Sequence, residues 1–459
     1  MRLRNTFFLT GLFILLVGYL YFFEIPKGEK EKGKTLLNFS EDEVQRLALA
    51  YPQQEIQLAK NSSGKWQIIN PLQAPADEST ISSVLSTLKT SGVKRTVEEK
   101  PAPADLKAFG LDPPTVKVSV SLKSGITLPS ISVGSKTPVG DSAYVKRENE
   151  TAVLLTSASL SSSLERKLSD FRNKRILEIK EDSITQLPLS GSKGEFILSK
   201  KGQDWFLDKP KAYRADSFVV QGIFLTLGNM SARDFIDEPP SSAKKYGLDK
   251  PRLQLTISVG NEGQREIRFG DKREGKDEVY VAADSSGTIY TVQESVLNDL
   301  DKDLTELRDK QILSFPKDKL ARLTVQTPQE SWTLVKGEKQ EWSIAAPQPA
   351  KAKQGAVNGF VPALSLLKAK GFAEDQPKDL RKYGLAPASL RISLADKDGK
   401  ALGSLVLGKT ANGSYYAKSE DEPTIFVIDE SSYNQLNKQL SDFVEEPKKE
   451  SQPPSQPKK

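Results

Sequence analysis

The sequence contains FGLDPP (109–114), YGLDKP (246–251) and YGLAPA (383–388), and this triplet limits the fold more than any other feature. Its glycines, Gly110, Gly247 and Gly384, stand at one constant spacing of 137 residues. Trp66, Trp205 and Trp342 keep nearly the same step, as do Tyr144, Tyr280 and Tyr416, and Gly134, Gly270 and Gly408. A period this long denotes a duplicated domain rather than a solenoid of small repeats. The repeats are read as 36–175, 176–311 and 312–446, with 1–35 as an N-terminal anchor and charged linker and 447–459 as a disordered Pro/Lys-rich tail.

Each copy has the same internal order. Short strands surround the tryptophan, as in QEIQLAK then KWQII, EFILSK then DWFLD, and SWTLVK then EWSIA. A helix follows with Ile81, Val84, Leu85 and Leu88 in the first copy, Val220, Ile223, Phe224 and Leu227 in the second, and Val357, Phe360, Val361 and Leu364 in the third. This i, i+3, i+4, i+7 spacing makes one apolar helical face, although Gly359 and Pro362 weaken the third helix. Past the Gly-Leu marker, Val116/Val118/Val120, Leu253/Leu255/Ile257 and Leu390/Ile392/Leu394 alternate as in a strand with one buried face. A second helix closes each copy through Leu160, Leu164, Leu168 and Phe171, through Val296, Leu300, Leu304 and Leu307, and through Tyr433, Leu436, Leu440 and Phe443. Thr291 and Glu294 read as a capping box for the middle one. The expected fold is therefore α+β, three tandem units of antiparallel strands plus two helices behind a single N-terminal transmembrane helix.

Residues 403–410, GSLVLGKT, spell the phosphate-cradling G-x-x-x-x-G-K-[ST] loop. That motif needs a strand before it and a helix opening at Lys-Thr. Here ANGSYYAKSEDEP follows, a turn and a strand, and Gly403 aligns with Pro129 and Arg265 in the other copies. The spelling is read as a strand-end turn, with no nucleotide bound.

The chain has 459 residues, no His and no Cys, so imidazole bases, thiolate nucleophiles and disulfides are excluded. The Ser-x-x-Lys pairs Ser91/Lys94, Ser190/Lys193, Ser242/Lys245 and Ser314/Lys317 have no supporting second motif. Glu98-Glu99, Asp237-Glu238 and Glu445-Glu446 read as solvated borders beside proline. Asp112 and Asp249 give way to Ala386 in the third copy, as turn residues can. The repeated Tyr and Trp positions are read as packing. No catalytic, cofactor-binding or metal-binding residue and no cofactor is named, and the chain is expected not to be an enzyme. The formal net charge is +6 without a basic stripe, so no nucleic-acid partner is expected.

Phe7–Phe23 carries no charge over about 17 residues, and no small-x-small cleavage site follows. It is read as an uncleaved single-pass anchor in the inner (cytoplasmic) membrane. Arg2 and Arg4 favour a cytoplasmic start and an extracytoplasmic, periplasmic body, whereas Lys27, Lys30, Lys32 and Lys34 oppose it on a bare count.

The Gly-Leu marker, the alternating strand and the block Val133, Gly134, Lys136, Thr137, Pro138, Val139, Gly140, Tyr144, Val145 resemble the bacterial domain-of-unknown-function family 4340. The likeness is closest over about 100–175. Pro138-Val139-Gly140 becomes Glu274-Gly275-Lys276 and Ala411-Asn412-Gly413 in the later copies. The resemblance implies a membrane-anchored envelope protein associated with an ABC-2-type permease or its gliding-motility-type auxiliary subunit. The expected function is a non-enzymatic extracytoplasmic scaffold or accessory subunit of an ABC-type transport system. The alternative is an extracytoplasmic solute- or glycan-binding module whose repeated aromatics stack on ligand.

Overall fold

The computed structural model describes residues 33–445 except 239–241, 261–262 and 284–286. Three nine-stranded antiparallel sheets form the framework of these residues. The first contains β1 (Val44–Ala50), β2 (Glu55–Lys60), β3 (Trp66–Asn70), β4 (Ala74–Pro75), β5 (Arg95–Glu98), β6 (Val116–Leu122), β7 (Ile131–Lys136), β8 (Ser142–Arg147) and β9 (Val153–Ser157). Its order is β4-β3-β2-β1-β6-β7-β8-β9-β5. The second contains β10 (Ile184–Gly191), β11 (Gly194–Lys201), β12 (Asp204–Lys209), β13 (Tyr213–Arg214), β14 (Asp234–Asp237), β15 (Leu253–Val259), β16 (Gly263–Lys272), β17 (Glu278–Ala283) and β18 (Ile289–Gln293). The third runs from β19 (Arg322–Gln326) through β20 (Ser331–Lys336), β21 (Trp342–Ala346), β22 (Ala350–Lys351), β23 (Gly371–Glu374), β24 (Leu390–Ala395), β25 (Ala401–Lys409) and β26 (Tyr415–Ser419) to β27 (Ile425–Ile428). Both repeat the strand order of the first, position for position.

The repeat is therefore one topology written three times, but its class needs correction. In place of the expected α+β unit with two helices behind a transmembrane helix, each unit is dominated by its sheet. Two kinds of strand escape a periodicity reading. β4, β13 and β22 have two residues each, and β5, β14 and β23 have four, too few to display a period of two. The closing helix is also not one helix. It breaks into Ala158–Leu164 and Leu168–Phe171, into Glu294–Leu300 and Leu304–Leu307, and into Glu430–Leu436 and a tighter turn at Leu440–Phe443. A fresh N-terminal cap restarts each second piece. Glu306 N–H donates to Asp303 Oδ1 at 2.7 Å while Asp303 N–H donates to Glu306 Oε2 at 2.9 Å. Asp170 and Asp442 accept from Lys167 N–H and Gln439 N–H in the same way, at 2.9 and 3.0 Å. The capping box expected at Thr291 and Glu294 is absent, because Thr291 lies inside β18 and is fully buried.

The long helix of each repeat covers one sheet face. Ile81, Val84, Leu85 and Leu88 on Glu78–Thr90 are buried, as are Val220, Ile223, Phe224 and Leu227 on Ser217–Asn229. In the third repeat the helix Gln354–Ser365 continues past Pro362 and buries Val357, Phe360 and Leu364, with Val361 packed partly against the core. Opposite them sit the alternate residues of the central strands, such as Leu47, Leu49, Val118 and Val120, all fully buried. Each such aliphatic side chain contributes roughly 1.5–3 kcal/mol on leaving water. The two-residue period of the strands and the 3.6-residue period of the helix thus meet in the main core between helix and sheet.

The described residues fall into two compact units, one from 33–176, 230–238 and 288–292, the other from the rest. In both units, a backbone segment entering a repeat is strapped to the residues that come just after that repeat's long helix in sequence. Ile176 N–H donates to Met230 O at 3.4 Å and Ala232 N–H to Lys174 O at 2.7 Å in the first unit. Ile312 N–H donates to Leu367 O at 3.2 Å and Ala369 N–H to Lys310 O at 2.8 Å in the second. Leu36 N–H to Ser91 O at 2.9 Å and Val93 N–H to Lys34 O at 2.8 Å are the same strap on the first repeat.

Among the described residues no helix is long and apolar enough to cross a membrane. The expectation of a single-pass inner-membrane protein with a periplasmic body is corrected accordingly. The segment Phe7–Phe23 lies outside the described residues, as does the tail 447–459.

Candidate functional site

GSLVLGKT forms no phosphate cradle. Its Gly403 to Lys409 stretch belongs to the single strand β25, paired with β24 on one side and β26 on the other. Thr410 then opens a turn, with Gly413 N–H donating to Thr410 O at 3.0 Å, and the next element is β26. With no helix opening at Lys409-Thr410, there is no fan of free N–H groups to receive a phosphate. The Lys409 ammonium lies 5.1 Å from the Tyr415 ring centroid.

What Gly408 does is visible one strand away. The Gly-Leu marker is a left-handed helix terminus, with Gly110, Gly247 and Gly384 at φ of 65, 68 and 66°. Leu111 N–H reaches back to Leu106 O at 2.8 Å and Gly110 N–H to Lys107 O at 3.0 Å, and the other two copies repeat both bonds. This turn presses its backbone onto the strand glycine. A Cβ on Gly134, Gly270 or Gly408 would stand 2.2, 2.1 or 2.3 Å from the carbonyl oxygen of Phe109, Tyr246 or Tyr383. The glycine is needed for close approach, not for an unusual dihedral angle. On the next strand, Tyr144, Tyr280 and Tyr416 are half-buried, with ring centroids 4.5, 4.9 and 5.0 Å from those of Phe109, Tyr246 and Tyr383. The repeated tyrosines thus clamp the marker turn. Trp66, Trp205 and Trp342 are buried at 7–8% exposure.

The other short motifs are engaged separately. Ser91 Oγ donates to Thr87 O at 2.6 Å as part of a helix end, while Lys94 Nζ donates to Ser142 Oγ at 2.8 Å. Lys193 pairs with Glu306 at 3.1 Å. Among the described residues no three His, Cys, Asp or Glu side chains gather as a metal site.

The feature that sequence reading missed is a guanidinium clip. In the second unit, a cleft of about 380 Å3 opens where β13 and the 308–311 segment meet β23 and the 422–424 turn. At its floor the Arg308 guanidinium is sandwiched between Tyr213 and Phe372, 3.7 and 3.6 Å from their ring centroids. Arg308 Nη2 donates to Asp375 Oδ1 at 2.7 Å, and the Tyr213 hydroxyl donates to Asp375 Oδ2. Burial works against ionisation of Asp375, but the bonds from Tyr213 and Arg308 outweigh it and hold its pKa below the usual carboxylate value. The stack and the ion pair reinforce each other, since a planar guanidinium offers its faces to rings and its edge to a carboxylate. Lys211, Arg214, Asp309 and Glu422 line the rim, which is polar and of mixed sign. Such a cleft can bind by shape and hydrogen bonds, and its buried charges are already paired. The signal in the sequence was the spacing itself, because Arg172 and Arg308, Phe235 and Phe372, and Glu238 and Asp375 each recur one repeat apart.

Comparison with known proteins gives a family. The family described as Domain of unknown function (DUF4340) matches residues 66–206, 205–344 and 342–448, three successive stretches that cover most of the chain. The chain belongs to this family. In this DUF4340 protein each matched stretch begins at the tryptophan of one repeat, and the first two end just beyond that of the next. No curated protein matches the chain. Among solved structures, a DNA polymerase sliding clamp from Pseudomonas aeruginosa with ligand shares 8% identity over 86% of this chain and 93% of its own, at a TM-score of 0.13. The DNA polymerase III subunit beta from Pseudomonas aeruginosa shares 10% identity over 86% of this chain and 93% of its own, at 0.12. Likenesses at that level carry no argument about this DUF4340 protein.

Proposed function

We propose that this DUF4340 protein is a non-enzymatic scaffold, an accessory subunit that binds a protein component of an ABC-type transport system. The residues repeated in all three copies serve backbone approach and ring packing, which suits a chain that presents surfaces. One observation carries the reading. On the helix Ser217–Asn229, Phe218 and Leu225 are 78% and 65% exposed, and a Cβ on Gly222 between them would meet nothing within 4 Å. These three positions share one outward stripe of the helix. The first repeat carries Ser79, Ser83 and Ser86 at the same places on Glu78–Thr90. A large apolar pair on a helix whose inner face is already buried is the composition of a protein contact.

The test is co-purification from a detergent extract of cells producing the full chain. The wild-type chain is expected to bring down a permease or its auxiliary subunit in near-equal amount. Phe218→Ser with Leu225→Ser, the residues of the first repeat, should abolish this while leaving the unfolding profile unchanged. Equal recovery by the variant, or recovery of the wild-type chain alone, would contradict the proposal.

A further inference from the structure

The clip at Arg308 has a counterpart within the first unit. Arg172 follows the last helical piece of the first repeat, as Arg308 follows that of the second, and the backbone bridges Ala76–Arg172 and Ala215–Arg308 are equivalent. The Arg172 guanidinium lies 3.5 Å from the Phe235 centroid, and its two terminal nitrogens donate to the two oxygens of Glu238, both at 2.6 Å. Thr288 Oγ1 donates to Glu238 Oε1 at 2.7 Å, as Thr424 Oγ1 donates to Asp375 Oδ1 at 3.4 Å. Phe235 pairs with Tyr290 in the β14–β18 register, and Phe372 with Phe426 in β23–β27. The receptor is thus one construction in both repeats: an aromatic on the short strand, an acid just beyond it, and a threonine just before the neighbouring strand.

Neither the first nor the third repeat keeps its remaining half. The bridge equivalent to Ala76–Arg172 in the third repeat is Ala352–Val444, and Val444 is 37% exposed where an arginine stands in the other two. Tyr213, which closes the second face of the Arg308 sandwich, corresponds to Ala350. In the first repeat the receptor is stripped as well. Thr96 pairs with Leu154 where Phe235 and Phe372 stand in the later repeats, and Ala152 replaces the threonine. Arg147 binds the incoming segment there instead, donating to Thr35 O at 3.0 Å and Leu36 O at 3.1 Å.

We infer that the aromatic, acid and threonine of the second and third repeats form a guanidinium receptor that recognises the repeat before it in the chain, and that the missing halves at Val444 and at Thr96/Ala152 stop a second copy from extending the series. A buried arginine that must find two hydrogen-bond acceptors and a ring face rejects a wrong neighbour more strongly than an apolar contact would, because its charge would be left unpaired. Terminal repeats in arrays carry altered outer faces for the same reason.

The test uses the full chain with amide hydrogen exchange and sedimentation. Arg308→Glu should speed exchange at Ile312 and Ala369 at least tenfold while leaving Ile176 and Ala232 at the wild-type rate. Adding Asp375→Arg should restore most of the protection, which a merely damaged core would not allow. If Arg308→Glu fails to fold, Arg308→Met gives the same local reading without the like charge. Val444→Arg should sediment as the wild-type chain does, since the first repeat has no receptor for it. Uniform loss of protection at both junctions, no change at either, or self-association of Val444→Arg that Glu99→Lys abolishes would overturn the inference.

Discussion

Inside each repeat, the marker turn and its strand glycine are the same in all three copies; at the junctions, the clip changes from one copy to the next. The marker contact is made by backbone atoms, with three carbonyl oxygens standing where a Cβ would be, 2.1–2.3 Å away. The clip is made by side chains. It uses a bidentate Arg172–Glu238 pair on one ring in the first unit, and a shorter acid with two rings around Arg308 in the second. A contact that depends on the absence of a side chain leaves no room for variation. One that depends on side-chain chemistry can be retuned or removed, as Val444 and Thr96 show.

The largest expected effect breaks the interior contact. Gly408→Val forces a branched side chain into the Tyr383 carbonyl and should cost about 3 kcal/mol, read as a lower urea midpoint for the third repeat. Next comes Arg172→Ala, which leaves the Glu238 carboxylate without its partner. The side chains of Arg172 and Glu238 are 9% and 29% exposed, so the loss should be about 2–3 kcal/mol, seen as faster exchange at Ile176 and Ala232.

Acid should then separate the clip from the marker. Its bond to Arg172 holds the Glu238 pKa below the ordinary value, so the stability it supplies is present above the unfolded carboxylate pKa. That stability disappears as the pH falls through the lower, folded value. Protection at Ile176 should therefore decline below about pH 4, and Arg172→Met should flatten this part of the profile. Exchange at Leu111, in the backbone marker turn, should not follow the same titration. The smallest effect sharpens the comparison from the other side. Lys409→Ala, beside the essential Gly408, should shift stability by no more than about 0.5 kcal/mol, and calorimetric titration of either chain with Mg-ATP should show no saturable heat.

Legibility in the sequence followed the same division. The recurring Gly110, Gly247 and Gly384, the tryptophan hairpins and the apolar helix faces were readable because each is a local pattern repeated three times. Strands of two and four residues were not, since no period fits within them. The closing helix reads as one piece in sequence because Leu160, Leu164 and Leu168 keep a helical spacing across a break that Asp170 caps. The clip escaped for a different reason. Arg172 and Glu238 are 66 residues apart in sequence, and Asp237-Glu238 beside proline reads as a solvated border until the fold brings an arginine to it. Only the matched spacing of Arg172 with Arg308 and of Glu238 with Asp375 hinted at a pair.

The most direct measurement is a double-mutant cycle on Arg172 and Glu238, using Arg172→Met, Glu238→Gln and the two together, followed by exchange at Ile176 and Ala232. If the guanidinium clip joins successive repeats, the two residues should show a coupling of at least about 1 kcal/mol, with the double variant little worse than Arg172→Met. Additive losses, or single variants that leave both amides protected as in the wild-type chain, would contradict it.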